Sequence, residues 1–299
     1  VSDRALVEKI YGFAFPDDLY AFHEFVTRHP DACEPFEVDL EGPLAVLAGK
    51  APRDGWDPGG DWPRFYKDPP EFFTALIGHT DGLHWGYWFD APGELPPVVA
   101  DYFHSDGCEL SSDGPTLFQA FRMNLELSHR DALDYMQDDA KCADDYREQL
   151  DRYAKIRQQI GEYALSDRAE TGEKYFTTYS GSSRSPDAPT RNGMGIVLLD
   201  AEGYEELDGD RFDEIGWKPT PEDVADLVAD AVELVDQGKP GAALKLGHDL
   251  WSMPDYRLAC YEMLDLAYAL LGRTVLRDYL KRAIEFRKRC DEKRQASTR

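Results

Sequence analysis

Two aromatic-rich runs constrain this chain most: Phe72-Phe73-Thr74-Ala75-Leu76-Ile77-Gly78 and Leu83-His84-Trp85-Gly86-Tyr87-Trp88-Phe89. Both are β-prone, and Thr80-Asp81-Gly82 between them is a reversal, so an antiparallel hairpin is predicted. A hairpin alone is marginal in water, so helices or further strands must cover its faces. Helical patterns flank it. Ala5 to Gly12 suggests a short helix, and Asp17-Asp18 opens a second with Leu19, Tyr20, Phe22, Phe25 and Val26 on its apolar face. Dense proline and glycine between Gly42 and Gly78 predicts strands and turns rather than long helices.

The second half reads as mainly helical. Tyr146, Leu150, Tyr153, Ile156, Ile160 and Tyr163 recur at three or four residues within Ala143 to Leu165, one face of a long helix. Thr220-Pro221-Glu222-Asp223 is a helix start, with Thr as N-cap, Pro in the first turn and acids behind it. Val224, Leu227, Val228, Ala231, Val232 and Val235 form its stripe, and Gly238 with Pro240 ends it. Further helices are predicted near Tyr256 to Leu271 and Thr274 to Arg289. Tyr175 to Tyr179 and Gly195 to Leu199 read as a short β-hairpin around the loop from Gly181 to Pro189. The expected fold class is α+β: an N-terminal mixed α/β domain with an antiparallel sheet, residues 1–132, and a mainly helical C-terminal domain, residues 133–299. The boundary is drawn at Ala132, before the acidic stretch Asp134 to Asp139.

Charge narrows the partners. The chain carries 58 acidic and 33 basic residues, a formal net charge of −25. That field repels phosphate backbones and anionic membranes and tolerates a basic protein surface, although a general acidic shift for solubility gives the same composition. No apolar run approaches the roughly 20 residues of a membrane span. Val1 to Tyr11 alternates charged and apolar residues and is not expected to act as a signal peptide. Five scattered cysteines without a CxxC pair point to a reducing compartment and away from zinc. The expected location is cytoplasmic, or nuclear in a eukaryotic source.

Catalytic motifs are sparse. The seven histidines show no metal-ligand spacing, no metal or cofactor is expected, and His84 and His248 read as packed or surface residues. There is no GxSxG, GxxxxGK[ST] or GxGxxG, and Gly193-Met194-Gly195 is too short to cradle a phosphate. The acidic run Asp200 to Asp210 lacks calcium-loop spacing and reads as a solvated loop, as does Asp236 at its helix end.

Several motifs together resemble one family. Gly42-Pro43 with Leu47-Ala48-Gly49-Lys50, Arg64-Phe65-Tyr66, Asp68-Pro69-Pro70-Glu71-Phe72, Gly86-Tyr87, Asp90, Pro92 and Pro96 follow in the order of the histone PARylation factor family. Gly203-Tyr204, Glu206-Leu207, Leu244, Leu246-Gly247, Asp249-Leu250 and Leu266-Ala267-Tyr268 resemble its C-terminal segment. Read for their chemistry, these motifs are structural: Pro69-Pro70 stiffens a strand entry and Asp90 to Pro92 makes a turn. The resemblance implies an accessory protein that binds an ADP-ribosyltransferase and completes its active site, a glutamate deprotonating the acceptor serine. The aligned positions are Asp236 for the preceding aspartate and Gln237 for the glutamate. A glutamine keeps the shape and cannot take the proton. Where the family has arginine after the tyrosine, Glu205 follows Tyr204 here, a reversal that repels an acidic contact and favours a basic one.

Three readings follow. The first is a noncatalytic accessory protein that meets a protein partner, an ADP-ribosyltransferase among the candidates, through Tyr204, Glu205 and Gly238 beside Asp236 and Gln237. The second keeps a general-base role in Asp236, Glu202 or Glu205. The third is a stand-alone enzyme with the loop from Gly181 to Gly193 as lid and Arg184 and Arg191 facing an anionic ligand. The expectation leans away from an enzyme acting alone, and the oligomeric state is not legible.

Overall fold

A computed structural model describes residues 3–50, 65–79, 81–105, 109–138, 142–163, 184–200, 203–207 and 218–297. The predicted hairpin is the centre of an antiparallel five-stranded sheet, ordered β1 (Val38–Leu40), β2 (Phe72–Gly78), β3 (Leu83–Trp88), β4 (Val98–Phe103) and β5 (Ser111–Gly114). In it Phe72 pairs with Trp88, Phe73 with Tyr87 and Ile77 with His84. The reversal uses positive φ at Asp81 (50°) and Gly82 (65°), which those residue types tolerate best.

The aromatic density of β2 and β3 has a physical reason: both faces of the sheet are covered. Phe73, Ala75, Tyr87 and Val99 point into an N-terminal core with α1 (Asp3–Tyr11), α2 (Asp17–Arg28), the short α3 (Gly42–Leu47), α4 (Leu117–Asp138) and α5 (Ala143–Ile160). Phe72, Trp88, Val98, Ala100 and Tyr102 face the other way and cluster with Leu110 and Met194. α2 presents Leu19, Phe22, Phe25 and Val26 as predicted, with Phe22 packing edge-on against Phe118 and Phe121 of α4. α4 itself is not anticipated above. Ala132 lies within it and is buried in this core, as are Tyr153, Ile156 and Ile160 of α5.

The C-terminal part is helical, as expected: α6 (Pro221–Asp236), α7 (Pro240–Leu250), α8 (Arg257–Leu270) and α9 (Thr274–Ser297). Thr220 and Asp223 form a reciprocal capping box at the start of α6. Its end is a Schellman turn, with Lys239 N–H donating to Leu234 O, Gly238 N–H to Val235 O, and φ of 85° at Gly238. Helix α7 is buried on every side and forms the axis of the second core. Tyr279 of α9 crosses into the first core, its hydroxyl donating to Tyr11 O at 3.1 Å and its ring lying 4.8 Å from Phe73. Of the short C-terminal hairpin, Tyr175 to Tyr179 lies outside the described residues. Its expected partner contributes one antiparallel bridge, Ile196 to Ala188. Among the described residues no helix is long and apolar enough to cross a membrane.

Candidate functional site

Carboxylates of the motif-bearing segments are spent on the interior. Asp68 accepts from Thr74 Oγ1 (3.1 Å), Phe65 N–H (3.2 Å) and the Tyr102 hydroxyl. Asp90 accepts from Trp88 Nε1 (3.0 Å) and from two nitrogens of Arg184 (2.8 and 2.6 Å). Arg184 is therefore buried and committed to an ion pair, away from the ligand-facing role considered for it. Asp249 accepts from Lys245 Nζ and from the backbone N–H of Arg191, each at 2.8 Å.

Glu71 joins the two halves. Its carboxylate lies 3.1 Å from His248 Nε2 of α7 and accepts from the Tyr268 hydroxyl of α8. Burial pushes this carboxyl up, but the His248 imidazole and the Tyr268 hydroxyl outweigh burial and hold it below the ordinary range. His84 and His248 are both interior residues: His84 stacks on Tyr102 at 4.7 Å, and His248 is 2 % exposed. Spacing in the sequence cannot reveal this seam, because its members come from β2's entry, α7 and α8.

Of the residues proposed for partner contact, Glu205 and Gly238 lie on the surface beside Asp236 and Gln237, while Tyr204 is half-buried against the second core. Asp236, Gln237 and Gly238 are exposed at the turn joining α6 to α7, where the Gln237 amide reaches back to Glu233 at 3.4 Å. The fold brings Tyr204 to the same place through Gly241, near the start of α7. A β-carbon at Gly241 would lie 2.9 Å from Gly203 O and 3.1 Å from Tyr204 Cβ, so the missing side chain lets that segment lie against the helix. Burial pushes the Tyr204 phenol up to about 12, with Glu206 and Asp249 adding to the shift. Its hydroxyl is buried with no hydrogen-bond partner among the described residues. Glu205 is exposed, and Glu202 lies outside the described residues. The exposed acids Glu222, Asp226, Asp230 and Glu233 run along α6 to Asp236 at helical spacing, a stripe that sequence periodicity carried but that only the exposed face makes meaningful. No group of His, Cys, Asp and Glu among the described residues is arranged to hold a metal ion.

The family model described as Histone PARylation factor 1 matches residues 2–177, ending before α6. Histone PARylation factor 1 of Mus musculus is 34% identical over 134 residues, 41% of this chain and 38% of that protein. The Bos taurus protein of the same name is 33% identical over an equal stretch, so each match spans less than two fifths of the relative's length. A Homo sapiens protein, named as histone PARylation factor 1-like, is 24% identical over 310 residues, 93% of this chain and 84% of its own. With the matched model covering the sheet, its helices and the Asp68–Phe72 motif, the chain belongs to the histone PARylation factor 1 family.

Proposed function

We propose that this chain is a noncatalytic binding member of the family, which meets a protein partner through the α6–α7 turn and the segment around Tyr204. The observation that carries this reading is the turn itself. It is exposed, held by a Schellman motif, flanked by Tyr204, and ends in the amide of Gln237 where the resemblance implies a glutamate. An amide is no base at neutral pH, so the proton transfer expected of the family has no acceptor at that position. The acidic stripe of α6 and the exposed Glu205 favour a basic surface on the partner. The relatives' names tie them to histone PARylation, which makes an ADP-ribosyltransferase the first partner to test.

The test combines affinity and turnover, using the catalytic domain of an ADP-ribosyltransferase from the same source and a serine-bearing histone peptide. Wild type is expected to bind, and Tyr204→Ala with Glu205→Arg to weaken binding by roughly tenfold or more, as for loss of a central aromatic anchor. Wild type should leave serine modification unstimulated, while Gln237→Glu gains stimulation at near-unchanged affinity. Stimulation by wild type, or binding indifferent to the Tyr204 and Glu205 changes, overturns the reading.

A further inference from the structure

A second site is built where the two halves meet, and Tyr102, whose hydroxyl is committed to Asp68, forms part of its wall. A cavity of about 90 Å³ opens between the segment entering β2, the α7–α8 connection and α9. Among the described residues its charged lining consists of Lys67, Arg257 and Arg287, with no acidic residue, in a chain whose net charge is −25. Arg287 is 5 % exposed. Its guanidinium carbon lies 3.9 Å from the centroid of Trp251 and 5.3 Å from that of Tyr66. Its hydrogen bonds go to neutral oxygens, Tyr66 O at 2.8 Å and the Tyr261 hydroxyl at 3.2 Å.

The charge balance is the telling feature. Arg257 is paired with Asp291 at 2.7 Å, whereas neither Arg287 nor Lys67 has an ion-pair partner among the described residues. The Lys67 ammonium donates to the carbonyl of His104 at 2.7 Å. Aromatic faces and carbonyls ease burial of a cation but do not neutralise it. Ser252 adds a hydroxyl to the same wall. Helix α8 begins there at Arg257 without a side-chain cap, so its positive end adds to the field.

The geometry points to a binding site for a phosphoryl group, held by Arg287, Lys67 and Ser252. At about 30 Å³ per liquid water, the cavity holds about three waters' worth of ligand. That is room for a tetrahedral oxyanion, and any nucleoside or sugar attached to it extends outward into solvent. The arrangement of donors on several walls suits an anion with many lone pairs better than a planar carboxylate. This site stands independently of the α6–α7 turn, and either reading survives failure of the other.

Calorimetric titration of the full chain with inorganic phosphate, at ionic strength held constant with chloride, is expected to saturate. Acetate should bind at least tenfold more weakly. Lys67→Ala, at a half-buried position, should weaken phosphate binding by roughly tenfold. Arg287→Gln should abolish it, with circular dichroism checking that the chain still folds. Lys155→Ala, an exposed charge-matched control on α5, should leave the affinity unchanged. Adenosine monophosphate distinguishes the sources: tighter binding than phosphate assigns a nucleotide, equal binding assigns free phosphate, and both uphold the site. A flat phosphate titration, acetate binding as tightly as phosphate, or equal losses in Lys67→Ala and Lys155→Ala overturns it.

Discussion

At Gly86 the sheet leaves no room for a side chain. A β-carbon there would sit 2.2 Å from Phe73 O and 2.8 Å from Thr74 Cα, both backbone atoms of the neighbouring strand. Main chain in a central strand pair cannot step aside as a flexible side chain would. Gly86→Ala is therefore expected to cost about 2–3 kcal/mol, read as a lower midpoint of chemical denaturation at unchanged slope. Gly93→Ala, where φ is 85° but nothing lies within 4 Å, should cost only about 1 kcal/mol of backbone strain. Equal losses at the two positions would refute the close-approach explanation. Glycine within an aromatic run reads in the sequence as a local weakness, because the atoms that require it belong to another strand. Gln237 is different in kind. Its chemistry was legible in the residue itself, while the Tyr204 segment reaches the helix beside it only through Gly241, a tertiary fact.

Element by element, legibility tracks how local the cause is. Both ends of α6 could be read from the chain, since a capping box and a Schellman turn are made by residues a few positions apart. Helix α4 could not, although Leu117, Phe118, Phe121 and Leu125 keep helical spacing. The pattern is broken by Arg122 and Glu126, charges that look like surface and are 2 % and 0 % exposed. Glu126 accepts from Arg122 Nε at 2.6 Å and from two nitrogens of Arg157 at 2.7 and 2.9 Å, locking α4 to α5. Such a network is legible only once the partner helix is known. Glu126→Gln removes the negative charge and leaves two guanidiniums facing a neutral amide. Breaking a buried pair from one side is expected to destabilise by about 3–5 kcal/mol. A denaturation midpoint within error of wild type would show that the network adds nothing to stability.

Across the whole molecule, two cores are joined by a seam, and the seam contains a titratable centre that responds to acid. The mixed and helical halves were readable from periodicity. Their joint was not, because Glu71, His248 and Tyr268 are separated along the chain and two of them read as ordinary helix positions. The Glu71 carboxyl is held below its ordinary range, so the folded state favours its ionised form. A depressed pKa contributes stability that is present above the unfolded value, about 4.3 for glutamate, and is lost as pH falls through the folded value. Glu71→Gln should thus be less stable than wild type at pH 7, and the gap between them should narrow below about pH 4.3. Other carboxylates titrate in the same range in both proteins, so the difference between the two melting curves isolates Glu71. Thermal melts of both proteins from pH 7 to pH 3 measure that difference directly. A gap that stays constant over the range would mean that the seam is held by shape and neutral hydrogen bonds. A narrowing gap means that the negative charge on Glu71 itself helps to keep the helical half docked on the sheet.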